Sequence, residues 1–252
     1  LGGSLGRAAA GELELGQAAE ISAQALNIGG LGGDQTTRVA DVLAAGANKS
    51  AADVAQLGDA LRQGGLVAAQ TGLSLEETAG VLSMFADNAL LGSDAGTSLK
   101  TFLQRLVPQS DEAAKAMESL GLQFFDSQGA FVGIEEVAGQ LQGALGGLSD
   151  EQRNAALSTL FGSDAVRSAS ILMDGGAASV RDYTTAVSDQ GAASRMAAEQ
   201  LDNLAGDIEE FKGATETALI RVGDLFDGEN RSVMQSGTDL VNVFNEIATT
   251  TT

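Results

Sequence analysis

The sequence predicts an all-α fold of helical hairpins packed in series, with one small β-hairpin near 122–132 and a C-terminal long helix or coiled coil. Three observations carry that expectation. Apolar residues recur at spacings of three and four, as in Val39, Val42, Leu43 and in Leu99, Phe102, Leu103, Leu106. Proline, which breaks helices, occurs once, and Pro108 sits just beyond an expected helix end. Helix boundaries are also marked. Ser74-Leu75-Glu76-Glu77 and Ser149-Asp150-Glu151-Gln152 are capping boxes; Ser50, Ser93, Ser110 and Ser163 are N-cap candidates; Gly29, Gly72, Gly92, Gly121 and Gly162 fall where helices should stop.

Taken in order, the pattern marks helices at 5–10, 16–27, 34–47, 51–70, 75–89, 94–106, 111–120, 134–145, 150–161, 164–174, 177–188, 192–226 and 231–248. One stretch breaks the helical period. Bulky residues Leu122, Phe124, Phe125, Phe131 and Val132 flank Asp126-Ser127-Gln128-Gly129, a run of turn formers, so a short hairpin is expected there. A lone hairpin is marginal in water and should lean on neighbouring helices.

The chain repeats itself. A shift of 60 positions sets Leu13, Leu15, Ala19, Leu31, Gly32, Asp34 and Thr37 on Leu73, Leu75, Ala79, Leu91, Gly92, Asp94 and Thr97. Segments 13–47 and 73–106 are therefore expected to be two helical hairpins, with Gly32 and Gly92 in matching turns. A third, shorter echo places Gly147-Leu148-Ser149 and Gly162-Ser163-Asp164-Ala165 on Gly72-Leu73-Ser74 and Gly92-Ser93-Asp94-Ala95.

Beyond this lies a different pattern. Leu201, Leu204, Ile208, Phe211, Thr215, Ala218, Val222 and Leu225 alternate spacings of three and four, a heptad seam sustained for more than three repeats. Such a seam is either an intradomain packing face or a site of self-association, and the constancy of the spacing favours association. The expected organisation is a helical core region over 1–190 and long amphipathic helices over 191–252. The candidate oligomer interface is Leu201, Leu204, Ile208, Phe211, Ala218, Val222 and Leu225.

Composition narrows the function. The 252 residues carry a net charge of −20 and include no His, Cys or Trp. Zinc and haem centres lean on His or Cys, and so do Ser-His-Asp and Cys nucleophiles; no cofactor, metal or catalytic residue is expected. The acidity argues against gripping a phosphate backbone, and the basic residues are scattered singly. Uncharged stretches such as 21–33 and 63–75 fall short of the ~18 residues a membrane span needs. Apolar content is 44%, yet much of it is Ala and only 4% of residues are aromatic, so a shallow core is expected. The chain opens on Leu1 rather than Met, so a processed product or a piece of something longer is expected.

Several motifs invite a chemical reading. Gly29-Gly30-Leu31-Gly32-Gly33-Asp34 has the glycines of a phosphate loop without its Lys-Ser/Thr or a preceding strand, and reads as a helix–helix turn. Asp126 to Gly129 starts like a calcium loop, but its Gly comes two residues early. The acid pairs Glu76/Glu77, Glu135/Glu136 and Glu209/Glu210 could in principle cleave a glycan; with no aromatic platform beside them they read as solvated surface.

The runs Gly72 to Ala79 and Gly92 to Leu99 resemble the core of phage tail tape measure proteins. So do Leu120-Gly121-Leu122 with Phe125 to Gly129, Leu148 to Arg153, and Leu160-Phe161-Gly162, in matching order over residues 13–215. The resemblance implies a structural virion protein of a long-tailed phage, located in the tail lumen or tail tip and made in the host cytoplasm. It implies that the full chain sets tail length, scaffolds tail tube assembly and assists genome ejection. Its implied partners are the tail tube protein, tail tip or baseplate proteins, tail assembly chaperones and further copies of itself, with a trimer favoured. No functional residue is carried over, because the matched region holds no catalytic motif of that family. Two other classes stand beside it: a cell-wall glycan hydrolase and an unrelated helical-repeat interaction module.

Overall fold

The computed structural model describes residues 15–28, 30–199 and 202. The chain divides into two compact units, residues 1–194 and 195–252. The described part of the first unit is helical. Helix α1 spans Leu15–Ile28, α2 Thr36–Lys49, α3 Val54–Thr71, α4 Leu75–Asp87, α5 Gly92–Gln104, α6 Asp111–Leu120, α7 Ile134–Leu145 and α8 Asp150–Val187. A single 3-10 turn, Gly33–Gln35, leads into α2. The expected helices at 5–10 and 231–248 and the heptad over 201–225 lie outside the described residues, save Asp202.

Both expected capping boxes form. Ser74 Oγ accepts from Glu77 N at 3.1 Å while the Glu77 carboxylate accepts from Ser74 N at 2.8 Å, and Ser149 and Gln152 make the same exchange. Ser110 caps α6. Ser50 does not cap α3. It closes α2 by donating to the Gly46 carbonyl, and a third box, Asp53 with Gln56, starts α3 instead. Ser93 is the second residue of α5 and Ser163 the first of a helical piece of α8, so neither is a cap.

Helix α8 is three pieces, 150–161, 163–175 and 177–187, separated at Gly162 (φ 65°, ψ −179°) and Gly176 (φ 61°, ψ −170°). That backbone region is open essentially to Gly alone. The turns at Gly32 and Gly92 do not match: Gly32 is extended at φ −74°, whereas Gly92 is left-handed at φ 56°. Gly92 pairs better with Gly162. Past each of them Ala95 and Ala165, then Ser98 and Ser168, are buried, and Ser98 Oγ donates to Ser168 Oγ at 3.0 Å.

The expected hairpin does not form. Among the described residues there is no strand, only one antiparallel bridge between Phe125 and Phe131. The reason lies in two side chains. Asp126 Oδ1 accepts from the N–H groups of Gln128 and Ala130, both at 2.8 Å, and ties the turn off locally. Gln140, on α7, then takes the place of a strand partner: its Oε1 accepts from Gln123 N and its Nε2 donates to Gln123 O. The backbone groups that would extend a ladder are already satisfied.

One core runs through the unit. Phe85, Phe102, Phe161, Leu99 and Leu141 are fully buried, and the Phe102 and Phe161 rings stack at 4.9 Å. The core is deeper than the Ala content suggests. Small residues let helices close in, so the few large side chains meet at the centre. The closest approach is α3 on α5: a Cβ added to Gly96 would stand 2.1 Å from the Ala60 carbonyl oxygen, and one on Gly64 would stand 2.6 Å from that of Gly96.

Candidate functional site

Each chemically suggestive group of the first unit has a structural occupation. Glu76 opens α4 and receives Arg38 of α2 in a two-pronged pair, Nε to Oε1 at 2.6 Å and Nη2 to Oε2 at 2.7 Å. The hydrogen bond from Arg38 holds the Glu76 carboxyl below its ordinary pKa, and the same bond raises that of Arg38. Glu77 is committed to its capping box. Glu135 pairs with Arg181, and Glu136 accepts from Gln140 at 3.1 Å. Neither described acid pair aims two free carboxyls at a shared space. Glu209/Glu210 lies outside the described residues.

The two loop motifs also resolve into turns. Asp126 spends Oδ1 on its own loop. At Gly30 to Asp34 the Thr36 hydroxyl donates to Gly33 O at 2.7 Å, and Asp34 accepts from Gln35. Among the described residues there is no group of three or more acidic side chains placed to hold a metal ion, and no helix long and apolar enough to cross a membrane.

Two polar clusters were not foreseen from the sequence. Tyr183, on the last piece of α8, donates its hydroxyl to Asp87 at the end of α4; Asp87 also accepts from Ala51 N at 2.8 Å, and the Lys49 ammonium lies 5.0 Å over the Tyr183 ring. Burial, and then the Asp87 hydrogen bond, push the Tyr183 phenol up to about 12. Second, Asp41 of α2 is 8% exposed, and its two oxygens accept from Gly191 N (2.9 Å) and Ala193 N (3.1 Å). A carboxylate there satisfies N–H groups left open at the start of a further helical stretch, 192–199, at the end whose dipole favours negative charge. Asp41 sits in the apolar run Val39 to Leu43, and an acid on a buried face is the one sequence signal that pointed to it. Its partners lie 150 residues away and left no local trace.

The candidate oligomer interface, Leu201, Leu204, Ile208, Phe211, Ala218, Val222 and Leu225, lies outside the described residues. What the described unit offers is a packed helical body in which Asp41, Asp53, Glu76, Glu77, Asp87 and Glu135 cap and clamp helices.

Against known proteins, residues 1–162 match the family model of phage-related minor tail proteins. Over 243 residues, 96% of the chain, the sequence is 34% identical to a tape measure protein of Pneumococcus phage Dp-1. Over 215 residues, 84% of the chain, it is 31% identical to a probable tape measure protein of Escherichia phage P2. The chain spans 21% and 26% of the lengths of these two relatives. No solved structure matches it.

Proposed function

This chain belongs to the phage-related minor tail protein family, and we propose that it is a portion of a tape measure protein. In this reading the full protein is a structural component of the virion of a long-tailed phage. It lies in the tail lumen, sets tail length, scaffolds polymerisation of the tail tube protein around it, and assists genome delivery. Tail tip or baseplate proteins and assembly chaperones are its further partners. The observation that carries the reading is the 34% identity to a tape measure protein across 96% of this chain. The occupation of Glu76, Glu77, Glu135 and Glu136 in caps and clamps supports a structural role over glycan hydrolysis.

Within that reading, residues 1–190 are the helical core region, the 13–47 and 73–106 segments repeating in sequence though not in their turns at Gly32 and Gly92, and 191–252 carry the self-association. Residues 201–225 form a parallel coiled coil, a trimer, through Leu201, Leu204, Ile208, Phe211, Ala218, Val222 and Leu225. At ~1.5 Å per residue that helix is about 36 Å long. Thr215 and Ala218 are its least apolar seam residues, so its middle is its weakest part.

The test is a phage carrying a lengthened gene. An in-frame duplication of the 38 residues of α8 adds about 57 Å if the added chain runs as helix along the tail. Tails measured by electron microscopy should lengthen by an amount of that order. Virions with the longer protein and tails of the parental length would refute the reading.

A further inference from the structure

The last piece of α8, 177–187, is docked differently from the two before it. Its inner face lies on α4, tightly at Gly80, and on α2 in ordinary contact. A Cβ on Gly80 would stand 2.8 Å from Thr184 N, and one on Gly46 would stand 3.0 Å from Ser83 Oγ and 3.7 Å from Val187 Cγ1. Caught in this seam are two buried hydroxyls, Ser83 Oγ and Thr184 Oγ1, with no hydrogen-bond partner among the described residues. A polar group that gives up water without gaining a partner weakens the contact that buries it. The piece before it, 163–175, is seated without that defect, because its buried Ser168 bonds Ser98 and the Ala165 carbonyl.

The seam with its two unmet hydroxyls is bounded at both ends. At its start is Gly176, in a backbone region essentially restricted to Gly. Just past its end the buried Asp41 carboxylate holds Gly191 and Ala193 by their N–H groups. On the outside, Tyr183 reaches Asp87 and Arg181 reaches Glu135. A swivel, a seam with unmet hydrogen bonds and a buried latch at Asp41 define an element that can open without the rest.

We propose that residues 177–193 are a strap that detaches as a unit from α2 and α4, turning on Gly176, while the first two pieces of α8 stay packed. Opening lets the Ser83 and Thr184 hydroxyls bond water and uncovers Gly46 and Gly80. The Asp41 latch sets how often this happens. The inference rests on packing within the first unit and is independent of the tail reading.

Hydrogen exchange read by mass spectrometry on the 252-residue chain tests it. Amides of 177–187 should open about tenfold more often than those of 163–175. Asp41→Ala should raise exchange across 177–193 by about tenfold or more, leaving 163–175 close to the parent. Ser83→Ala, which removes one unmet hydroxyl and leaves the latch intact, should slow exchange at 177–187 severalfold. Exchange of 163–187 as one block in the parent and in both variants would overturn the proposal. So would a Ser83→Ala chain whose strap exchanges at the parental rate or faster. If Asp41→Ala does not fold, the comparison of parent and Ser83→Ala decides alone.

Discussion

Replacing a helical glycine by alanine ordinarily stabilises a protein, by about 0.5–1 kcal/mol, because alanine loses less backbone freedom on folding. At Gly96 the sign should reverse. Gly96 lies in α5 against α3, and a Cβ there would meet the Ala60 carbonyl oxygen at 2.1 Å and its carbon at 2.8 Å. Carbon-to-oxygen contacts settle near 3.3 Å, so the helices would have to part by about 1 Å. Both obstructing atoms are backbone, so no rotamer change relieves them. Overpacking of a well-filled core costs roughly 1–3 kcal/mol, which exceeds the propensity gain. Gly64→Ala, directed at the Gly96 oxygen from the facing helix, should behave alike. Gly143 of α7 is the control, since an added Cβ there meets nothing within 4 Å. Thermal unfolding followed by circular dichroism should place Gly143→Ala at or above the parent. Gly96→Ala and Gly64→Ala should fall below it by a few degrees, at ~2–4 °C per kcal/mol for a domain of this size. If Gly96→Ala matched Gly143→Ala, the backbone-to-backbone contact of α3 and α5 would be wrong.

Three further outcomes follow from named side chains. Because Arg38 lowers the Glu76 pKa from its usual 4.5, the pair's stabilisation is present above that pH and is lost as pH falls through the folded-state value. Denaturant midpoints of the parent and Glu76→Gln should differ by the equivalent of ~1 kcal/mol or less near neutrality and converge in acid, the exposed Arg38 keeping the effect small. Tyr183 is the only tyrosine, so ultraviolet titration of its phenol should give one transition near 12 in place of 10; the stability its raised pKa confers is intact below pH 10 and disappears between the two values. For the C-terminal seam, Ile208→Asp forfeits roughly 1.5–3 kcal/mol of burial per chain and sets like charges together. Sedimentation should then show a monomer where the parent associates and Glu210→Gln still associates; a monomeric parent at micromolar concentration makes the heptad an intradomain face.

What could be read in the sequence was what adjacent residues decide. The boxes at Ser74 and Ser149 form because Glu77 and Gln152 stand three residues on, and the break at Gly162 shows in its place between Phe161 and Ser163. Local cues also misled. Ser50 resembled a cap, yet Asp53 offers a complete box with Gln56 and takes the helix start, leaving Ser50 to close α2. The turn at Asp126 is present, but the ladder beyond it yields to Gln140, which arrives from 17 residues away. Nothing near Asp41 announces Gly191, and nothing near Glu76 announces Arg38, because those pairings are made by the fold.

Glycine illustrates why composition alone misjudged the core. Gly162 is required where the helix breaks at positive φ, whereas Gly96 is required inside a regular helix, where a methyl group has no space. The sequence marks the first as a helix stop and gives no sign of the second. Read as a count, 33 glycines imply thin helices and little burial. Read by position, Gly64, Gly80 and Gly96 in helix interiors let backbones close together, and Phe85, Phe102 and Phe161 are fully buried in a chain with few aromatics. Stability here comes from closeness of fit more than from side-chain bulk. It follows that the unit should resist polar changes on its acidic surface and yield sharply to a single added carbon in the α3–α5 or α4–α8 seam.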